Sequence, residues 1–478
     1  MHSPILTTRS LLLVVGAAAL IATAQAQIND SVRGAASEAN HFIATPNGWK
    51  QPKTPWGEPD IQASLNMMQT AFMPLERCGT SYRPGAPPCD MNKRFLTEEE
   101  YNQRVIAANQ PDRSRELFKQ GNLGGAIQAG VLDPGIAQRQ TNLIQDPPNG
   151  LLPDLTPEGK RRGLLMRSDW ALPGEDLTFD GPQDFDSWDR CVTRGMPSSM
   201  MHYYYNGGFK IHQSPGVVVF SLEMIHEARV IYTDGRPSVA SAIKQWMGES
   251  RGHWEGDTLV VETTNYKEGP PMINLAVAGS PPGNHFPMSD QMKTTERITR
   301  LNDEWYLYEI KTEDPVILTR PFTVRYPMRN EPDYLMPEYA CHEDNQIVHN
   351  YTTTSRYERA HPKPEPPQPP VTVGPGVADA LAGTWVGRPR IVTVDDDIEI
   401  QFTKNRDGTV NGKLIGTTFG KIDKPFRNFR INDKTVSFTL PNIDPWSFQG
   451  ELKPDGNLTG VISSAQGGLP VTFKRTAR

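Results

Sequence analysis

The chain is poor in several things, and each scarcity removes a class of function. Of 478 residues only four are cysteine, and no two stand at C-x-x-C spacing, which argues against a structural zinc knuckle. No C-x-x-C-H segment offers covalent haem attachment. Neither a G-x-G-x-x-G turn nor a Walker loop occurs, so nucleotide cofactors are not expected. A nucleophile-elbow triad of the α/β-hydrolase kind is not expected either. After the first turns of chain, no apolar run approaches the ~20 residues that a spanning helix needs. Net charge is only -6, too mild to suggest a nucleic-acid or anionic-membrane partner.

Proline (43) and glycine (40) are plentiful instead, which suits many turns and short strands. The start of the chain reads as a secretory signal. His2 and Arg9 precede a short apolar core, Leu11 to Ile21, and Ala24-Gln25-Ala26 supplies small residues for cleavage before Gln27. Residues 1–26 are therefore expected to be a leader, and the mature protein to be periplasmic or secreted. In that setting four cysteines suggest up to two disulfides, with Cys78 near Cys89 and Cys191 left for Cys341. A free, buried pair is the alternative.

The segment His361–Gly376 has six prolines in its first ten residues and reads as an extended spacer. It separates a large domain, 27–360, from a small one, 377–478. In the large domain, Thr97 with Glu100 forms a capping box for a helix to about Lys119, and Thr156-Pro157-Glu158 starts a second. From Phe209 onward the pattern becomes β, with strands over Gly216–Tyr232, Asp257–Tyr266, Gln291–Leu301, Trp305–Lys311 and Pro321–Tyr326. No crossover helices divide them, so the sheet should be antiparallel. The expected fold is mainly β: an antiparallel barrel-like domain wrapped by irregular segments and a few helices, plus a small C-terminal up-and-down barrel. In that last module Asp407-Gly408 and Asp455-Gly456 mark repeated hairpin turns.

The residues that could do chemistry concentrate between Tyr203 and Tyr266. On a continuous strand from Phe220 to Ile231, period two places His226 among Phe220, Leu222, Met224, Ala228 and Val230. A histidine on an apolar face beside a pocket is a natural acid or base; it is also a common core residue. Glu223 falls on the opposite face of such a strand, so the two should not share a metal, and no metal or other cofactor is expected. Glu338 and His342 would align at i,i+4 if their segment were helical, giving a second carboxylate–imidazole pair. Arg229, Arg236 and Arg251 lie near turns, where a guanidinium clamps a carboxylate or pairs with a neighbouring glutamate. Tyr203, Tyr204, Tyr205 and Trp246 could line an apolar pocket with polar tips inward, or simply pack.

TPWGEPDIQ, LTEEE, LTPEGKRR, DRCVTRG, YYNGGFKIHQSPG, EMIHEAR, DGRPS, WMGESRGHWEGDTLVVETTNY, TEDP and EYACHE, in this order, resemble a large uncharacterised family of exported bacterial proteins. The resemblance covers nearly all of Thr54–Asn350. It implies no particular activity, but it gives weight to Tyr205, Asn206, Gln213, Glu223, His226, Arg229, Asp234, Arg236, Trp246, Glu338 and His342. His212 and Ser238 depart from the family pattern. The C-terminal part resembles the lipocalin-like modules of secreted bacterial hydrolases. The expectation is a protein that binds a small, largely apolar organic molecule and performs metal-independent elimination, isomerisation or hydrolysis. His226, Glu223, His342 and Glu338 would be catalytic; Tyr205, Asn206, Gln213, Arg229, Arg236 and Trp246 would bind substrate. A non-catalytic carrier and an envelope interaction protein are the alternatives.

Overall fold

A computed structural model describes residues 34–67, 73–78, 90–108, 138–169, 177–201, 206–274, 284–343, 345–362, 368–389, 397–441, 446–464 and 467–476. The leader, Cys89 and the Tyr203–Tyr205 run lie outside these residues. Most of the described chain forms two β-barrels, each with its own hydrophobic core.

The first barrel uses β1 (Ala63–Asn66), β3 (Gly208–Ser214), β4 (Val217–Leu222), β5 (Ala228–Tyr232), β6 (Glu249–Glu255), β7 (Thr258–Thr264), β8 (Lys293–Arg300), β9 (Trp305–Glu313) and β10 (Phe322–Asn330). They hydrogen-bond in that order, and β1 pairs with both β3 and β10, which closes the ring. The short β2 (Ile144–Asp146) adds to the outer edge of β10. Alternation decides which face turns inward: Phe209, Ile211, Val218, Phe220, Leu222, Leu259, Val261, Ile298, Ile310, Val324 and Met328 are all buried. Burying each large side chain of this kind contributes on the order of 1.5–3 kcal/mol.

Local chemistry sets the turns. Gly216 at φ +73° and Gly256 at φ +60° turn the β3–β4 and β6–β7 hairpins. Between β8 and β9, the Asn302 side chain accepts from the backbone N–H groups of Glu304 and Trp305. Helix α1 (Glu98–Ala108) carries the expected capping box: Thr97 N–H donates to Glu100, and Glu100 N–H to the Thr97 hydroxyl. Its expected extension to Lys119 lies outside the described residues. Helix α2 (Pro157–Leu165) is capped by Thr156, which accepts from Gly159 N–H at 3.0 Å.

Three expectations are corrected. The sheet is not wholly antiparallel: β5 and β6 run parallel, through Ile231 with Ser250 and Tyr232 with Arg251. The connection over 233–248 carries the chain back along the barrel wall without a helix, so β6 enters from the same end as β5. The long strand Gly216–Tyr232 is broken by a 3-10 turn at Met224–His226. The proline spacer is not free of packing, because Val371 bridges Val410 and Val373 packs on the second core. Before the spacer lies an unanticipated helix, α3 (Ile347–Ala360), and after it a short one, α4 (Val377–Leu381).

The second barrel contains β11 (Gly383–Gly387), β12 (Ile398–Lys404), β13 (Val410–Thr417), β14 (Gly420–Pro425), β15 (Arg427–Asn432), β16 (Thr435–Thr439), β17 (Ser447–Leu452), β18 (Leu458–Ser464) and β19 (Gly467–Arg475). All its ladders are antiparallel, and β14 and β15 are the two ends of the sheet. Its repeated turns form as expected, with Asp407 and Asp455 side chains accepting from Thr409 and Asn457 N–H.

No helix among the described residues is long and apolar enough to cross a membrane. Gly252 marks a tight point of the first barrel's wall: a Cβ there would stand 2.8 Å from Ile231 Cγ2 and 3.0 Å from Thr233 Cγ2. Gly252→Ala is expected to cost about 1–3 kcal/mol, measured by urea denaturation. Unchanged stability would show that the wall yields there.

Candidate functional site

The break after β4 rearranges every candidate in the EMIHEAR segment. Ile225 and His226 both have positive φ, +58° and +43°, so the strand's alternation stops and restarts out of phase. His226 therefore does not face the interior. Its ring is exposed, and Nδ1 lies 2.9 Å from the Tyr339 carbonyl oxygen. Glu223 is buried instead. Its carboxylate accepts from Asn206 Nδ2 at 2.7 Å, Gly208 N–H at 2.9 Å and the Tyr334 hydroxyl at 2.5 Å. A Cβ at Gly208 would stand 2.5 Å from Glu223 Oε2, so only glycine lets the backbone approach this closely.

The second pair does not form. Residues 335–343 are irregular, not helical, and both Glu338 and His342 are exposed. The segment is fastened by the disulfide Cys191–Cys341, which joins residues 150 apart in sequence. The Cys78–Cys89 pairing falls on Cys89, outside the described residues. Met224 and Ile225 pack near the disulfide with Trp188 and Tyr339, so the turn after β4 and the segment after β10 share one small apolar cluster.

The expected binding residues are scattered. Tyr205 lies outside the described residues. Asn206 is engaged by Glu223. Gln213 is buried and pins the chain before β1, accepting from Ile61 N–H at 2.7 Å and donating to the Pro59 carbonyl at 3.1 Å. Arg236 grips Asp234 from the same turn and lies over the Tyr232 ring at 3.9 Å. Trp246 is half-buried at the surface beneath Lys267 Nζ, 4.2 Å from its ring centre.

Arg229 is buried in the first barrel. It makes a bidentate pair with Glu296 at 2.9 and 2.5 Å, and Tyr308 donates to the same carboxylate at 2.7 Å. Ser250 and Thr263 complete the cluster, each accepting from Arg229 Nη2. Burial penalises the Arg229 charge, yet Glu296 raises its pKa above the ordinary guanidinium value. Burial, then Glu296, lifts the Tyr308 phenol well above its usual range. Gly248-Glu249-Ser250-Arg251-Gly252 carries the letters G-x-S-x-G. Ser250 nevertheless sits within β6, bonded to Thr263 and Arg229, and not at a strand-to-helix elbow.

Two carboxylate groupings were not anticipated. The restarted alternation turns Glu227 towards the buried segment Thr193–Ser199, where Ser199 Oγ donates to Glu227 Oε2 at 3.1 Å. Burial raises the Glu227 pKa; hydrogen bonds from Thr193 and Ser199 and the charges of Arg194 and Arg229 oppose that shift only in part. The second grouping is Asp169, Asp186 and Asp189. Asp186 caps its own loop, accepting from Trp188 and Asp189 N–H and from Asn284 Nδ2. Asp169 and Asp189 hydrogen-bond to each other, and burial followed by the Asp186 charge raises Asp189 strongly. Burial raises Asp169 as well. Two carboxyls so placed share a proton. The only signal for either was the density of acids in EMIHEAR and in DFDSWDRC; nothing in the letters showed that they fold inward.

No family model and no curated protein matches the chain. Among solved structures, a DUF3598-family protein of unknown function from Nostoc punctiforme is similar at 10% identity, over 56% of this chain and 87% of that one, with a TM-score of 0.13. A score that low carries no argument about the site.

The interior ion pair has a testable signature. Arg229→Met and Glu296→Leu are each expected to cost about 3–5 kcal/mol, because either strands a buried charge, while the double variant regains most of it. Urea denaturation of the three proteins measures this, and additive losses would refute the coupling. The Asp169–Asp189 pair predicts a pH dependence. Raised folded-state pKa values mean that the folded form holds protons that the unfolded form has lost above about pH 4. This stabilisation is complete below that pH and is lost as pH rises through the raised values. Asp189→Asn keeps a donor for Asp169 and should flatten the fall of Tm with pH; parallel curves for variant and parent would exclude the shared proton.

Proposed function

We propose that this chain is an exported protein that takes a small, largely apolar organic molecule at the end of the first barrel framed by residues 193–201 and 223–229. There Glu227 performs metal-independent proton transfer in an elimination, isomerisation or hydrolysis. The observation carrying this reading is the Glu227 carboxyl: half-buried, raised in pKa and hydrogen-bonded by Ser199, between the buried segment Thr193–Ser199 and β5. A carboxylic acid so held can protonate a leaving group and, once ionised, accept a proton in return. Arg194, fully buried beside it, is placed to offset negative charge developing on the bound molecule. The acid/base role thus passes from His226 to its neighbour, because the left-handed turn exchanges which of the two faces inward. Export is supported by the apolar leader and by the disulfide Cys191–Cys341.

The test is turnover of a panel of esters, lactones, epoxides and cyclic ketones, read by mass spectrometry. For a compound that is converted, Glu227→Gln should lower turnover by ~10²–10⁴ with folding intact, whereas His226→Ala should leave it unchanged. Full activity in Glu227→Gln would remove that carboxyl from the reaction. Retention of a compound in fixed proportion without product would favour the carrier reading.

A further inference from the structure

The structure assigns an anion site to the outside of β10, where Arg94 and Arg325 would hold a dianionic tetrahedral group such as phosphate. This assignment is independent of the Glu227 reading. Four arginines gather around the segment 138–142, which lies beside β10. Arg77 is buried, and its Nε donates to Asn142 Oδ1 at 3.2 Å. Its Nη1 donates to the Met91 and Pro148 carbonyls. Arg104, on α1, donates to the Gln138 and Gln140 carbonyls at 2.9 and 3.3 Å. Gln140 in turn donates to the Arg325 carbonyl, and the Arg94 carbonyl accepts from both the N–H and the hydroxyl of Thr141. Arg94 is thus fixed through its backbone and half-buried, with its guanidinium 5.8 Å from the Phe95 ring centre.

Negative charge is what this cluster is short of. Arg161, Arg162, Arg229 and Arg236 each bond a carboxylate. Among the described residues, no carboxylate lies within ion-pair distance of Arg77, Arg94 or Arg104. Glu309 comes only to 3.6 Å from Arg325 Nη1. Asp90 and Glu38 are exposed and act on Arg77 and Arg325 through charge alone, while Glu100, near Arg104, is taken by Lys93. Burial, then the Arg94 charge, holds Arg77 below the ordinary guanidinium value. Burial lowers Arg325 as well, with Arg94 adding to it and Glu309 opposing. His41 is buried with its pKa lowered to about 3, and its Nε2 accepts from Arg325 Nε at 3.1 Å. It therefore orients the Arg325 fork without adding a charge. Three buried donors, Arg77 Nη2, Arg94 Nε and Gln138 Nε2, have no hydrogen-bond partner among the described residues. Water satisfies a donor of this kind but does not offset guanidinium charge. An anion supplies that charge. Arg77 and Arg94 both lack a carboxylate, so a dianion balances the pair, and guanidinium forks match its oxygens. Arg94 and Arg325, half-buried, are open to solvent in part; Arg77, fully buried, contributes through its charge.

The experiment titrates the full chain with inorganic phosphate by calorimetry in a low-salt buffer at neutral pH, beside glycerol 3-phosphate and acetate. Phosphate should bind one to one, and acetate more weakly. Arg94→Gln should weaken phosphate binding about tenfold or more, since a charge-assisted pair is lost. Arg161→Gln, on an arginine already bonded to Glu158, should leave it unchanged. Without phosphate, Arg94→Gln should not lower Tm, because no carboxylate loses a partner. With phosphate the parent's Tm should rise and the variant's should stay. Should Arg94→Gln fail to fold, Arg94→Lys keeps the charge without the fork and should also bind more weakly. Tighter binding of glycerol 3-phosphate than of phosphate would place an ester at the site, and the reverse a free anion. The proposal is overturned if neither phosphate binds, if acetate binds as tightly, or if the Arg94 variant binds phosphate like the parent.

Discussion

The carboxylate of Glu223 ties together three stretches that sequence keeps far apart. It receives the Asn206 side chain and the Gly208 backbone at the start of β3, and the Tyr334 hydroxyl just beyond the end of β10. These are the strands that flank β1, where the first barrel closes. A buried carboxylate with three donors is well compensated, and removing any donor exposes the desolvation cost of the others. Its position at the end of β4 also fixes where that strand stops. The turn that follows needs two residues in the left-handed region, and His226 N–H returns to the Glu223 carbonyl at 3.0 Å to hold it.

Everything downstream inherits that turn. Because alternation restarts at Ala228, Arg229 enters the barrel and meets Glu296. Glu227 faces Ser199, and His226 is left outside against Tyr339. The disulfide then fastens the segment bearing Tyr339 to the loop that carries Asp186 and Asp189. Asn345 adds to this seam, donating to the Asp189 carbonyl at 2.9 Å. A turn, a carboxylate clamp and a covalent link thus bring an acid-rich loop and the Glu227 carboxyl to one end of a barrel.

Architecture was largely legible in the letters. The strands β7 to β10, both helix caps and the Asp-Gly turns of the second barrel follow from short-range rules in which neighbouring residues decide the outcome. The short β1 and β2 were not legible, because strands of four and three residues carry no period of their own; β1 exists by pairing with β3 and β10, and β2 by pairing with β10. The parallel contact of β5 with β6 escaped for the same reason: two residue pairs define it. The inward-facing side chains after β4 were misassigned because of a single turn. A strand read through Ile225 and His226 puts every later side chain on the wrong face, so the error at His226 carried Glu227 and Arg229 with it.

What the amino-acid order determined alone is therefore composition-level and local: a β-rich chain, a proline-marked division, capped helices, and cysteines suited to an oxidising compartment. Only the tertiary structure decided which carboxyls lose their water. Asp189, Glu223, Glu227 and Glu296 are the same chemical group in the unfolded chain. They differ in the fold because one shares a proton with Asp169, one is clamped by three donors, one meets a serine, and one is neutralised by arginine. Those partners lie between 15 and 111 residues away, and no local pattern encodes a distance that only barrel closure creates.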